Sequence, residues 1–413
     1  MKRFITVEEA RQQILERLPR LSTERIFLSQ ALGRILAESV EAPTDSPRFD
    51  NSARDGYALR FDDLEGDRPT LSVIGTAAAG TISDLHVEPG TAARIMTGAV
   101  VPEGADTIVM QEYCEVDEDA GTVTVLEVPE KGRGAWVRKA GENMAAGEAV
   151  LEPGARLGAP EVGLLASFGR SVIEVSRRPR VAIVSTGDEL VELDQEPQPG
   201  QIINSNAYML EALVHQAGGE AVVLPPAADT EEAVRDTFEQ ALQSADIVVS
   251  SGGVSVGDFD ITREVVDELT GGMNFWKIRM KPGKPLAFGT ADTDGRDVPL
   301  IGLPGNPNSC FVCFHQFVRP ALAVMQGVAR DGVVPRRLDA ILAGPVQTTP
   351  KRRVYLSGTL RGRVGDKPEF VPFDNQNSGN LRLFCGAEAF GVCEEGVARM
   401  EAGDEIAVEL IEL

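Results

Sequence analysis

The sequence predicts a multidomain α/β protein: a doubly wound, mostly parallel α/β domain, a β-rich inserted domain, an elongated helical/β linker domain and a C-terminal small β-barrel-like domain. Three observations predict it. Buried-type strands alternate with helical patterns from Arg180 to Gln326, as in a parallel sheet covered by helices. Short β-branched runs broken by Gly and Pro fill residues 55–150. Beyond Gly332 the helical period vanishes and only short strand patterns remain. The expected boundaries are 1–42 plus 141–176 for the linker domain, 43–140 for the insertion, 177–328 for the α/β domain and 329–413 for the last domain.

In chain order, Thr6-Val7-Glu8-Glu9 reads as a capping box, and Val7, Ala10, Ile14 and Leu18 follow at helical spacing. A second helix is expected over residues 28–38, broken by Pro43, Pro47 and the polar Thr44-Asp45-Ser46. Residues 122–126 read as a strand of the insertion. The α/β domain reads as strand 181–184, helix 206–216 ended by Gly218-Gly219, strand 221–224, helix 231–243, strand 247–249, helix 260–269 and strand 299–302. A helix over 308–326 follows, kinked or ended near Pro320, which lacks an N–H. Strands over 353–356, 369–371 and 406–410 complete the chain.

Composition narrows the function. The chain is 43% hydrophobic, so it can build real cores, and carries 40 basic against 63 acidic residues, a net charge of −23. Such a field repels nucleic acid and anionic lipid, and 5% aromatic content gives little base-stacking surface. Neither nucleic acid nor membrane is an expected partner. The start of the chain lacks the apolar region of a signal peptide, and no stretch is long enough to span a bilayer, so the cytoplasm is the expected location. The five cysteines form no disulfide framework. Cys310-x-x-Cys313 reads as one face of a helix in preference to zinc or redox chemistry. The three histidines lie outside every motif below, which discounts His-based acid–base catalysis.

Five segments carry chemistry. Ser250-Ser251-Gly252-Gly253-Val254-Ser255-Val256-Gly257-Asp258-Phe259-Asp260 joins a buried strand to a helix. Its glycines permit a tight turn that exposes N–H groups at a helix N-terminus, a natural anion site. The bland alternative is an ordinary strand–helix turn, and the ending of a Walker A loop is missing. Thr186-Gly187-Asp188-Glu189 ends another strand, and Asp229 follows the next. With Asp260 these acids offer hard oxygen ligands to Mg²⁺, although Asp229 alone also reads as a helix N-cap. Lys277, Lys281 and Lys284, with Pro282, Gly283 and Pro285, make a compact cationic run. Its apolar flanks Phe275, Trp276, Leu286 and Phe288 set it beside a core, where a merely solvated run would not lie. Leu303-Pro304-Gly305-Asn306-Pro307 is a rigid loop whose carbonyls and Asn side chain can clamp a heterocycle. Residues 49–58, around Asp55, form a dense polar loop that also reads as a domain junction, and Arg94-Ile95-Met96-Thr97-Gly98 can face the same space. Lysines, hard carboxylates and anion-cradling loops suit metal-assisted phosphoanhydride chemistry.

Together, over essentially the whole chain, these segments resemble the molybdopterin molybdenumtransferase family, which includes the C-terminal domain of gephyrin. The resemblance implies a reaction in which adenylated molybdopterin and molybdate give molybdenum cofactor and AMP, with Mg²⁺. It implies an elongated homodimer whose active site is shared between subunits, and partners among other cofactor-biosynthesis proteins and apo-molybdoenzymes. Matched motif by motif, Asp55, Thr97, Glu189, Asp229, Asp260, Lys277 and Lys281 fall on catalytic positions, with Glu189, Asp229 and Asp260 toward the metal. Ser251, Gly252, Gly253, Ser255, Lys284, Pro285, Pro304, Gly305, Asn306 and Pro307 fall on binding positions. Arg352 and Ser378 match further anion contacts loosely. The chain departs from the family pattern at Asn143, where Asp is usual, at Arg54 and at Asn308. Two alternatives remain. A molybdopterin adenylyltransferase shares the α/β domain but needs neither residues 1–176 nor the 49–58 loop. A non-catalytic scaffold would not need Lys281, Asp260 and Asp55 intact.

Overall fold

The computed structural model describes residues 2–253 and 261–411. The chain divides into two compact units, one of Met1–Glu38, Pro153–Ala166 and Arg170–Leu413, the other of Ser39–Glu152 with Ser167–Gly169.

The first unit is organised by a seven-stranded sheet. Its strands are β1 (Lys2–Ile5), β2 (Arg180–Ser185), β3 (Glu220–Val223), β4 (Ile247–Ser251), β5 (Phe275–Ile278), β6 (Ala287–Thr293) and β7 (Arg296–Leu303), in the order β1-β5-β6-β7-β4-β2-β3. Strands β3, β2, β4 and β7 run parallel, whereas β6 pairs antiparallel with both β5 and β7. Strands β2 and β4 read as unbroken apolar runs because both of their faces are covered. Val181 and Ile183 enter one core cluster, with α1 (Val7–Leu15), α2 (Ser205–Gln216), α5 (Pro307–Cys313) and α6 (Arg319–Met325). Ala182 and Val184 point the other way, toward α3 (Glu231–Ser244) and α4 (Ile261–Leu269).

The capping box at Thr6 is present in both directions, and Val7, Ala10 and Ile14 are buried as their spacing predicts. The strand preceding it was not anticipated: β1 pairs in parallel with β5 and ties the N-terminal residues to the α/β sheet. The helix expected over 28–38 does not form. Only Leu28–Gln30 is helical, as one 3₁₀ turn. Gly33 then adopts φ +75°, and the Gly33 and Leu36 N–H groups donate to Leu157 O (2.7 Å) and Ala155 O (2.9 Å). Tertiary backbone bonds outcompete a helical period of only a few residues. The helix expected over 308–326 is continuous but changes pitch: α5 and α6 flank a π-helical turn at Phe314–Val318. Pro320 has no N–H for the Gln316 carbonyl, which accepts instead from Arg11 Nε at 3.3 Å.

Beyond α6, strands Arg337–Leu342, Arg353–Val364, Lys367–Pro372, Ala389–Cys393 and Glu405–Leu410 close into a small barrel. Met280–Lys281 adds to it from outside, parallel to Arg353–Val364.

The second unit holds a six-stranded sheet in the order Thr107–Met110, Gly56–Leu59, Thr91–Ile95, Thr70–Ala77, Thr122–Val125 and Cys114–Asp117. Tyr57, Leu59, Val109 and Val123 build its core. Gly56 is needed there, since a Cβ would lie 2.0 Å from the Val109 carbonyl oxygen. All five cysteines are free, and Cys310 and Cys313 are buried on α5.

Candidate active site

Because β2, β4 and β7 are parallel neighbours, their carboxyl ends bring three of the singled-out loops together. The crowding explains the glycines. A Cβ on Gly253 (φ +65°) would lie 2.3 Å from Thr262 Oγ1 and 2.6 Å from Thr186 Oγ1. The two threonine hydroxyls are themselves 3.2 Å apart and buried. A Cβ on Gly305 would touch Gly252 Cα at 3.4 Å, so the Gly-Gly loop and the Pro304–Pro307 loop are in contact. Gly252 N–H donates to Leu303 O at 3.2 Å, linking them through the backbone. Asn306 is the residue preceding α5, Pro307 is its first residue and Cys310 N–H donates to Asn306 O. Ser255 and Asp260 lie outside the described residues.

At the ends of β2 and β3 the structure brings Asp229 against Asp188. The Asp229 N–H donates to Asp188 Oδ1, and the Asp188 N–H donates to Asp229 Oδ2. Helix α3 is capped by Thr230, whose hydroxyl accepts from Ala233 N–H, so Asp229 is not spent as a cap. Glu189 is exposed and its carboxylate curls back over Gly187: a Cβ there would be 2.5 Å from Glu189 Oε2. Among the described residues, no group of three or more His, Cys, Asp or Glu side chains is placed to hold a metal.

The lysines occupy a splice between the sheet and the barrel. Lys277, on β5, is 9% exposed, has φ +69°, and its ammonium sits 3.5 Å above the Trp276 ring. A non-glycine residue in that backbone region is unusual within a strand and marks the segment as specialised. The Ile278 N–H donates to Lys284 O, closing the turn that carries exposed Lys281 and half-buried Lys284 and Pro285. Beneath it, a Cβ on Gly283 would lie 2.5 Å from Cys313 Sγ. Cys310 contacts the other loop, through a hydrogen bond with Ser251, and burial pushes its thiol up to about 12. The Cys-x-x-Cys pair is therefore packing under two loops.

Ser378 reaches this region by its carbonyl, which accepts from the Asn308 N–H at 2.9 Å. Arg352 lies in the turn before the barrel strand beside Lys281, its N–H donating to Thr349 O.

In the second unit, Asp55 accepts from the Thr97 N–H at 2.6 Å and from its hydroxyl at 2.7 Å. Those two bonds hold its carboxyl below the usual range. Arg54 lies over the Trp136 ring, and the Asn143 N–H donates to Ser46 O.

Sequence reasoning missed Asp188 as the partner of Asp229, and it missed Asn206. The Asn206 Nδ2 donates to Ser251 Oγ (2.8 Å) and to Gly305 O (2.7 Å), bridging two of the loops. The only signal was an Asn-Ser-Asn run at the start of a helix.

Comparison with known proteins follows these lines. Residues 5–169 match the model of the MoeA N-terminal region (domain I and II), 182–324 that of a probable molybdopterin binding domain and 339–411 that of the MoeA C-terminal region (domain IV). The chain is 37% identical to a molybdopterin molybdenumtransferase of Haemophilus influenzae, over 98% of both chains. It is 38% identical to one of a Nostoc species, over 98% of this chain and 93% of the other. A molybdopterin biosynthesis moeA protein of Pyrococcus horikoshii superposes with a TM-score of 0.83 at 27% identity, covering 99% of this chain and 100% of that one. The chain, with its strand-end loops and cationic splice, belongs to the molybdopterin molybdenumtransferase family.

Proposed function

We propose that this chain, a transferase of molybdenum cofactor biosynthesis, transfers molybdenum from molybdate into adenylated molybdopterin, releasing AMP and forming molybdenum cofactor. The observation that carries the reading is the convergence of the Ser251–Gly253, Gly187–Asp188 and Pro304–Pro307 loops on one sheet edge. The match at residues 5–169 covers a segment that an adenylyltransferase would not need.

The roles divide by chemistry. Gly253, Ser251 and Ser255 offer hydrogen-bond donors to the phosphate beside Gly252, whose N–H is held by Leu303 O, while Pro304, Gly305, Asn306 and Pro307 clamp the heterocycle. Lys281, Lys284 and Pro285 take molybdate, with Lys277 behind them and Arg352 and Ser378 alongside. Asp188 and Asp229 each commit one oxygen to a backbone N–H and keep the other; with Glu189 and Asp260 they are the acids proposed for Mg²⁺, which would have to draw them together, since no three acids among the described residues are grouped to hold a metal. When bound, Mg²⁺ supplies charge neutralisation at the phosphate oxygens. Asp55 and Thr97 are proposed to act from the inserted domain of the partner subunit in a homodimer, in a chain of four proposed domains: 1–42 plus 141–176, 43–140, 177–328 and 329–413. The cytoplasm is the proposed location, and among the described residues no helix is long and apolar enough to cross a membrane.

The test is formation of active cofactor from adenylated molybdopterin, molybdate and Mg²⁺ by the purified chain. Lys281→Ala should weaken molybdate binding by about 1.5–3 kcal/mol, the scale of a hydrogen bond to a charged group. No cofactor from the wild-type chain, or unchanged molybdate affinity in a Lys281→Ala/Lys284→Ala double variant, overturns the assignment.

A further inference from the structure

The Asn206 amide is placed as a brace. It stands at the start of α2, and its two N–H bonds go to acceptors on different loops: Ser251 Oγ at the end of β4, and the Gly305 carbonyl after β7. The orientation is fixed by chemistry, because a carbonyl oxygen cannot donate and the flipped amide would set oxygen against Gly305 O. The consequence is visible on the same amide, where Asn206 Oδ1 is buried without a hydrogen-bond partner among the described residues. A buried acceptor left unpaired is rare and calls for a reason. The reason is that both donors are committed to the loops.

The two loops Asn206 joins are those proposed to take the phosphate and the heterocycle. Gly252 and Gly305 are already in contact, and one backbone bond joins Gly252 N–H to Leu303 O. The Ser251–Gly253 loop cannot be thickened at Gly252, which has φ +93° and where a Cβ would press on the Thr186 carbonyl at 3.1 Å. Asn206 adds to that single backbone bond a side-chain cross-link from outside the two loops.

We infer that Asn206 is a positioning residue: it sets the spacing between the Ser251–Gly253 and Pro304–Pro307 loops and so shapes the cradle for the adenylate phosphate. This rests on the proposed reaction for the identity of the ligand, and on geometry alone for the brace. The lysine segment is attached to β5 and the barrel, so molybdate binding should not depend on Asn206.

The test uses the full chain with Asn206→Asp, nearly isosteric but without the two donors, and Asn206→Ala as a second variant. Exchange of the Gly252 amide is read without ligand. AMP and molybdate affinities are then measured by calorimetry. Exchange faster by about tenfold or more, AMP binding weaker by a similar factor and unchanged molybdate binding are expected. Unchanged exchange in both variants overturns the brace. Faster exchange with wild-type AMP affinity overturns the positioning role, as does an equal loss of AMP and molybdate binding with a collapsed melting temperature. If the wild-type chain binds no AMP, the reaction assignment fails separately, and the exchange result alone decides the brace.

Discussion

Asp188 and Asp229 hold each other through reciprocal backbone bonds, at 3.0 Å from Asp229 N–H to Asp188 Oδ1 and 3.4 Å from Asp188 N–H to Asp229 Oδ2. Two carboxylates are thus kept side by side at the ends of adjacent parallel strands without a cation of the chain bonded between them in that clasp. Both side chains are exposed, so the oxygens left over from the clasp are open to a hard cation.

Asp229→Asn should separate the charge from the clasp. The Asn oxygen still accepts from the Asp188 N–H, so the melting temperature should stay within a few degrees. Turnover should fall roughly tenfold or more, as expected for a ligand-shell residue, and the dependence on Mg²⁺ concentration should shift upward. Full activity at the wild-type Mg²⁺ optimum would remove Asp229 from the metal.

Gly283→Ala should be destabilising by about 2–4 kcal/mol, from a positive-φ backbone and from overlap with Cys313 Sγ. Adding Cys313→Ala should return part of that loss, because it removes the overlap and leaves the backbone term. Denaturant titration of the single and double variants checks this. Strict additivity would mean that the two residues do not press on each other.

The Asp55 carboxyl is held low first by the Thr97 N–H and then by the Thr97 hydroxyl. Thr97→Val deletes only the second bond. Carbon NMR titration should show the Asp55 pKa rising while remaining below 3.8, its ordinary value. Asp55 gains from its folded partners only while ionised. Its contribution to stability is present above the unfolded pKa and is lost as pH falls through the depressed folded one, so whatever the hydroxyl bond contributes is missing from Thr97→Val at neutral pH, and the two proteins should converge in stability at low pH. A variant titrating as in wild type would assign the whole effect to the backbone.

Burial, with Arg319 adding to it, lowers the His315 imidazole to about 3. Between the unfolded value of 6.5 and about 3 the unfolded chain binds a proton that the folded chain refuses, so stability should fall as pH drops through that window. His315→Phe should flatten the slope there, read as midpoint denaturant concentration against pH. An unchanged slope would place the acid sensitivity in other groups.

Much of this was legible because the signals were local. Capping at Thr6, the apolar runs of β2 and β4, and the Gly-Gly and Pro-Gly-Asn-Pro loops each announce themselves within a few residues. What was hidden depends on distant partners. Residues 28–38 carry a helical period, yet Leu36 finds Ala155 and Val175 far along the chain. Residues 2–5 carry no strand signal of their own, since β1 is fixed by its pairing with β5, far along the chain. Asp188 lost to Glu189 in the reading because sequence spacing does not say which of two neighbouring acids turns toward Asp229. Asn206 gave almost no signal, since its meaning lies in two acceptors on other loops.

The attachment of Met280–Lys281 to the barrel has a bearing on how this protein can be altered by evolution or by engineering. Tyr355, Phe390, Val392 and Ile411 belong to the same core cluster as Ile5, Ile183 and Phe288, although the barrel is contiguous in sequence and closes on itself. It resembles a cassette on paper and a keystone in three dimensions. Removing it would strip one edge from the lysine strand and open the main core. Swapping it for a relative's would have to preserve the Arg353–Val354 edge as well as the aromatic plug. Recombination is therefore expected to tolerate crossovers in the Ala329–Arg336 stretch only when residues 275–288 travel with the barrel.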